Sequence, residues 1–177
     1  MTNTTRFSTN EQAYFRDKLT VKVASPEIDP LLSSHTLAFL HEVGLPRDMD
    51  GDFAFDQRLA LLPNHLVQVG RWGEKTLLCL DLASNEALVY DRLDGTKPEF
   101  MNSGVQEFAL CLYEFEHYLT HLQNTPAFGS IHGPDEQKSR SKAGAYLREK
   151  FTSIDPAVFE KGYYWPSLLE QIEHGGI

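Results

Sequence analysis

The chain has 177 residues, of which 41% are hydrophobic, so it is long enough to bury a substantial core. At about 150 residues per domain, this length predicts one domain over residues 1–177. The net charge of −9 makes nucleic acids and anionic membranes poor candidate partners, because both attract lysine and arginine.

The N-terminal segment, MTNTTRFSTNEQ, has no apolar run of signal-peptide length. No stretch of the chain approaches the roughly 20 apolar residues of a membrane span, so we expect a cytoplasmic protein. Ser8 and Glu11 have the spacing of a helix capping box, and residues 19–23 (LTVKV) predict a short extended segment after that helix.

A second helix is predicted to begin at Ser33 or Ser34 and to end at Gly44, before Leu45-Pro46. The acidic segment 47–55 (RDMDGDFAF) superficially resembles a calcium loop. Its glycine comes too early for an EF-hand, and the required glutamate is missing. A turn that leads into a strand at 53–55 is the better interpretation.

The centre of the chain predicts four successive antiparallel strands. Ala83-Ser84-Asn85 and Asp94-Gly95 supply turns between them. The second strand is apolar on both sides of its alternation, which is typical of a central strand that is covered on both faces. The predicted strands are 65–72, 75–82, 86–93 and 97–101.

A long amphipathic helix is predicted over residues 103–122. Ser103 and Gln106 match a capping box, and Asn102 is an alternative cap. One apolar stripe, expected to lie on the sheet, contains Phe108, Leu112, Phe115, Leu119 and Leu122.

Turn-forming residues then predict a loop over 124–134, followed by three C-terminal helices. The first runs from Pro134 to about Phe151, the second is capped by Asp155-Pro156 and ends at Gly162, and the third begins at Pro166 and ends at Gly175-Gly176.

The two cysteines, Cys79 and Cys111, lie inside apolar segments, so we expect buried, reduced thiols. Glu114, His117 and His121 fall on one helix face, opposite the apolar stripe. They could bind zinc or act as acid and base, as in a metal-dependent hydrolase centred on His117 and His121. The HYLTH sequence, however, lacks the glutamate of an H-E-x-x-H motif. An exposed polar face is the simpler interpretation. No metal ligand, cofactor or catalytic residue is assigned.

Three consecutive aromatic residues, Tyr163, Tyr164 and Trp165, stand between Gly162 and Pro166. At least one of the rings is expected to face outward, and tyrosine is common in binding hot spots. Trp165 is expected to anchor the last helix to the core.

One set of residues occurs in a characteristic order along the chain: Leu40, Gly44, Leu45, Pro46, Asp81, Asn102, Ser103, Phe108, Trp165, Leu168 and Leu169. In the order of these motifs over residues 34–122 the chain resembles the SUKH superfamily, and at its C-terminal end it resembles the fourth SUKH subgroup in particular. The resemblance implies an α+β fold with a curved, mostly antiparallel sheet flanked by helices. It also implies a non-enzymatic immunity protein whose partner is a toxin domain; eukaryotic and viral members imply a scaffold or regulatory module instead.

The charge distribution supports a basic partner. Residues 81–120 contain eight acids and two bases, a net charge of −6 out of −9. A purely solubilising role is equally compatible with this excess. The predicted partner-binding residues, chosen for charge and expected exposure, are Glu86, Asp91, Asp94, Glu114, Glu116, Tyr163 and Tyr164.

Overall fold

A computed structural model describes residues 19–46, 48–49, 53–91, 97–130 and 135–175. Several predictions lie wholly or partly outside these residues: the first helix with its capping box, the turn before residue 53, the Asp94-Gly95 turn, the Asp94 site, and the loop end with the helix start at Pro134. Within the described ranges, no helix is both long enough and apolar enough to cross a lipid bilayer.

The fold is α+β, as predicted, and its centre is an antiparallel sheet of seven strands. The strand order is β3-β4-β6-β7-β8-β9, and β5 also pairs with β6. The strands are β3 (Asp48–Met49), β4 (Phe53–Ala54), β5 (Ala60–Leu62), β6 (Leu66–Trp72), β7 (Thr76–Asp81), β8 (Ala87–Asp91) and β9 (Glu99–Asn102).

The four successive antiparallel strands of the prediction are therefore confirmed as β6 to β9. The turn between β7 and β8 is also confirmed: Asp81 Oδ1 accepts hydrogen bonds from the backbone N–H groups of Ala83 and Ser84, and Asn85 has a positive φ of 63°. β7 is buried on both faces, as its apolar pattern predicted. Leu78 and Leu80 join the main core, while Leu77 and Cys79 belong to a second apolar cluster.

The N-terminal part of the described chain forms a small two-stranded sheet and one helix. β1 (Leu19–Thr20) pairs antiparallel with β2 (Leu45–Pro46). Helix α1 (Ser34–Ala38) is capped by Ser33, whose hydroxyl accepts from Thr36 N, and continues as a π-helical turn over Phe39–Val43. Gly44 follows with φ +86°, and a Cβ added there would lie 2.4 Å from the carbonyl oxygen of Thr20. The predicted helix and its glycine end are confirmed.

Lys22 ties this region to the large sheet. Its side chain is 3% exposed, and its ammonium group donates to the carbonyl oxygen of Val69 at 2.8 Å and to that of Asp56. Burial lowers the pKa of Lys22 to about 8, although the nearby Asp56 carboxylate acts in the opposite direction.

Of the remaining helices, three contact the sheet at β9, and the longest packs on the other helices. These helices are α2 (Val105–His117), which continues as a π-helical turn over Tyr118–Leu122, α3 (Glu136–Ile154), α4 (Ala157–Glu160) and α5 (Tyr164–His174). The predicted stripe of α2 is confirmed as core, with Phe108, Leu112 and Phe115 buried. α5 begins two residues before Pro166 and ends, as predicted, at Gly175, which has φ +82°.

The predicted capping box at the start of α2 is wrong. The N-cap position is Gly104, and no side chain caps the helix. Ser103 instead donates its hydroxyl and its backbone N–H to Asp155, at 2.9 and 2.7 Å. The prediction that Asp155 caps α4 is also wrong, because the N-cap position of α4 is Pro156 and no side chain caps that helix. Asp155 instead joins the start of α2 to the end of α3.

Asn102 extends this contact into a buried polar network. Its amide nitrogen donates to Asp155 Oδ2 at 3.1 Å, and its amide oxygen accepts from Trp165 Nε1 at 2.9 Å. Trp165 is 1% exposed and packs on Phe151, which confirms that it anchors the last helix. Asn102, Ser103 and Trp165, three of the residues that carry the superfamily likeness, thus connect β9, the start of α2 and α5 to the end of α3.

Both cysteines are free and buried, as predicted. Burial raises the pKa of Cys79 to about 12 and raises that of Cys111 as well, so neither is a thiolate near neutral pH.

Candidate functional site

Three of the predicted partner-binding residues meet at one cleft. Asp91 comes from the end of β8, and Tyr163 and Tyr164 come from the start of α5. The cleft, called here the β8–α5 cleft, has a volume of about 360 Å³. Its lining includes Trp72, Thr76, Asp91, Glu99, Tyr163 and Tyr164.

Strand register places the polar lining residues side by side. Trp72 pairs with Thr76, and Thr76 pairs with Asp91, so these three form one row across β6, β7 and β8. Glu99 pairs with Val89, which lies two residues before Asp91 on the same face of β8. Asp91 and Glu99 therefore occupy diagonal positions on neighbouring strands. Residues at such positions are typically about 7 to 8 Å apart.

One wall of the cleft is aromatic. The rings of Trp72 and Tyr164 meet edge to face, with centroids 5.1 Å apart, and Phe53 stacks on Trp72 at 6.0 Å. Tyr163 precedes Tyr164 and stands open to solvent, with 70% of its surface exposed. The prediction that at least one ring of this segment faces outward is therefore confirmed.

Tyr164 itself is buried, and its hydroxyl has no hydrogen-bond partner among the described residues. Burial raises the pKa of Tyr164, so the phenol stays neutral over the physiological range. An unpaired buried hydroxyl is uncommon, because it loses its bonds to water without replacing them.

The cleft is acidic on balance. Its described lining contains two carboxylates, Asp91 and Glu99, and one cation, Lys97. Glu99 and Lys97 are exposed, whereas Asp91 is half-buried. The site therefore favours a cationic or neutral group over an anionic one.

Glu86 lies at the opposite end of β8. Its carboxylate accepts from Ser84 Oγ at 3.2 Å and lies 3.4 Å from the ammonium group of Lys161, which is exposed. Lys161 also lies over the ring of Phe100, at 5.6 Å from its centroid. Glu86 therefore forms a surface ion pair with Lys161, which lies two residues before Tyr163.

The expected exposure of Glu114 and Glu116 is wrong. Both are buried, and Glu116 is 1% exposed. Glu114 is buried because α3 covers that side of α2, where the sequence alone suggested solvent. Glu114 accepts from the hydroxyl of Tyr146 at 2.9 Å and lies 3.6 Å from the ammonium group of Lys150, both residues of α3.

His117 and His121 are adjacent, with ring centroids 5.2 Å apart, and His117 stacks on Tyr113. Burial lowers the pKa of His117, with Glu114 acting in the opposite direction. The Glu114 carboxylate contacts Tyr146 and Lys150 of α3. Among the residues with described positions, no group of three His, Cys, Asp or Glu side chains could hold a metal ion.

Sequence reasoning missed Trp72, Glu99 and Lys97 as site residues. Each stands on a different strand or connection from Tyr163, so no local pattern joins them. The available signal was the strand register. Once β6 to β9 are aligned as a meander, Trp72, Thr76 and Asp91 fall in one row at the same end of the sheet.

Comparison with known proteins gives one family match. The model described as SUKH-4 immunity protein matches residues 19–171, which include the β8–α5 cleft and the Asn102–Asp155–Trp165 network. No curated protein and no solved structure matches the chain.

Proposed function

The chain belongs to the SUKH-4 immunity protein family, and on that basis we propose that it binds a cognate toxin domain and neutralises it through protein–protein contact. The family match over residues 19–171 is the observation that carries the proposal. A non-enzymatic role agrees with the family, and a protein is the partner that the family implies. Such a role requires an accessible surface with its own shape and charge.

The proposed mechanism is occlusion of the toxin's active site or substrate channel. The toxin surface is proposed to be basic, as in a nuclease, because most of this chain's excess acid lies in residues 81–120. Within that segment Glu86, Asp91 and Glu99 are at least partly accessible. Opposite charges raise the association rate by steering, which suits a protein that must capture a toxin before it acts.

Co-expression with the neighbouring toxin tests the proposal. The C-terminal domain of the protein encoded immediately upstream would be expressed with and without this chain, and growth and co-purification would be measured. We expect a stable complex, restored growth and an association rate that falls as salt concentration rises. Absence of both binding and protection would refute the proposal.

The same experiment separates neutralisation from a scaffold role. A complex that forms without protecting growth would show that the chain binds the toxin but does not block it. Protection without a complex would exclude direct occlusion. Each of these outcomes contradicts the proposed mechanism.

A further inference from the structure

We propose that the β8–α5 cleft receives an arginine side chain of the toxin domain, an inference that rests on the proposed function. The cleft combines two carboxylates on adjacent strands with an aromatic wall that includes an exposed tyrosine. It thereby specifies both the charge and the shape of the group that it binds.

The carboxylates determine the sign of the occupant. Asp91 and Glu99 project from diagonal positions of β8 and β9, and one cation, Lys97, stands among the described lining residues. A phosphate or carboxylate group would meet two like charges there. A guanidinium group carries five N–H donors in a planar fork and can donate to both carboxylates at once.

The aromatic residues favour arginine over lysine. Tyr163 is exposed at the mouth, and Trp72 and Tyr164 form the wall behind it. A guanidinium plane stacks on such rings while its edge bonds to carboxylates, whereas an ammonium group is a strongly hydrated point charge. Tyrosine and arginine are also the residues most enriched at the energetic centres of protein interfaces.

The size and rigidity of the cleft fit a single side chain. Its volume of about 360 Å³ lies at the lower end of the range for small-ligand sites. Strands β6 to β9 supply part of its lining, and Tyr164 packs against Trp72, Phe53 and Trp165. A preformed site loses little conformational freedom on binding, which favours affinity.

The charge test compares two variants that change net charge equally. In D91N/E99Q the two cleft carboxylates become amides. In D135N/E149Q an exposed aspartate and an exposed glutamate of the α3 region, outside the described cleft lining, change in the same way. We expect D91N/E99Q to raise the Kd for the toxin domain by about 30-fold or more, and D135N/E149Q by less than about threefold.

A third variant, Y163A, removes the exposed ring without changing charge. We expect it to raise the Kd by about tenfold. Melting temperatures within a few degrees of the wild-type value would show that each variant is folded. If wild type binds the toxin, and D91N/E99Q and Y163A bind it as tightly as D135N/E149Q does, the cleft proposal is refuted while the proposed function stands. If wild type does not bind, the proposed function itself fails.

A small probe tests the chemistry of the cleft separately. N-acetyl-arginine amide would be titrated against wild type and D91N/E99Q while the indole N–H signal of Trp72 is followed by NMR. N-acetyl-citrulline amide, which is neutral and of similar shape, is the control. We expect a saturable shift with the arginine probe in wild type alone. Equal shifts with both probes, or arginine binding that D91N/E99Q retains, would overturn the assignment.

Discussion

Replacing Asp155 with alanine is expected to destabilise the protein strongly without altering the binding surface. The Asp155 carboxylate is 3% exposed and accepts three hydrogen bonds: from Asn102 Nδ2 at 3.1 Å, from Ser103 N at 2.7 Å and from Ser103 Oγ at 2.9 Å. Alanine would leave all three donors without their acceptor and would leave a small cavity.

The cost follows from these contacts. A hydrogen bond to a charged group contributes about 1.5 to 3 kcal/mol, and such contributions within one network are not additive. We expect D155A to lower the free energy of unfolding by roughly 3 to 5 kcal/mol, because three donors lose one shared buried acceptor. For a protein of this size, that corresponds to a fall in Tm of about 10 °C or more.

Urea denaturation, followed by circular dichroism, measures this change. D135A is the matched control, because Asp135 is exposed at the start of α3 and its side chain makes no capping hydrogen bond. Tryptophan fluorescence is a second readout, since the Trp165 indole donates to Asn102. A loss below about 1 kcal/mol, equal to that of D135A, would show that the network does not hold α2, α3 and α5 together.

Three other substitutions test separate parts of the fold. K22M should remove a pH dependence of stability. The pKa of Lys22 is lowered to about 8 in the folded state, so unfolding takes up a proton above that pH. Between about pH 8 and pH 9.5, the free energy of unfolding of wild type should therefore rise by about 1.5 kcal/mol relative to that of K22M. Parallel stability profiles for the two proteins would contradict this. Y164F should stabilise the protein by about 1 kcal/mol, because it removes a buried hydroxyl without a described partner, and a loss of stability in thermal denaturation would show that the hydroxyl is bonded. G44A should lower the free energy of unfolding, measured in urea, by at least about 3 kcal/mol, because alanine disfavours φ +86° and its Cβ would collide with the Thr20 carbonyl. Near wild-type stability would show that β1 can move away.

The elements of this fold could be predicted where a local pattern decides them. Alternating apolar residues and tight turns located β6 to β9, and glycines with positive φ mark the ends of the helices before Gly44 and Gly175. The capping box at Ser103 failed because a distant acid, Asp155, competes for the same donors. Local spacing carries no information about a partner 52 residues away.

The candidate site was harder to predict because its residues converge from separate segments. Asp91, Tyr163 and Tyr164 were selected by charge and aromatic character, and the fold brings them together. Glu114 was selected by the same charge argument, but α3 covers it. A helical wheel identifies two faces of α2, yet it does not reveal that both are covered by other elements.

Titration of the toxin's own activity tests the central claim most directly. The purified C-terminal domain of the neighbouring toxin would be assayed for its activity, with increasing amounts of this chain added. The account predicts complete inhibition near one equivalent of wild type, and weaker inhibition by D91N/E99Q than by D135N/E149Q. Full toxin activity at a large excess of wild-type chain would contradict it.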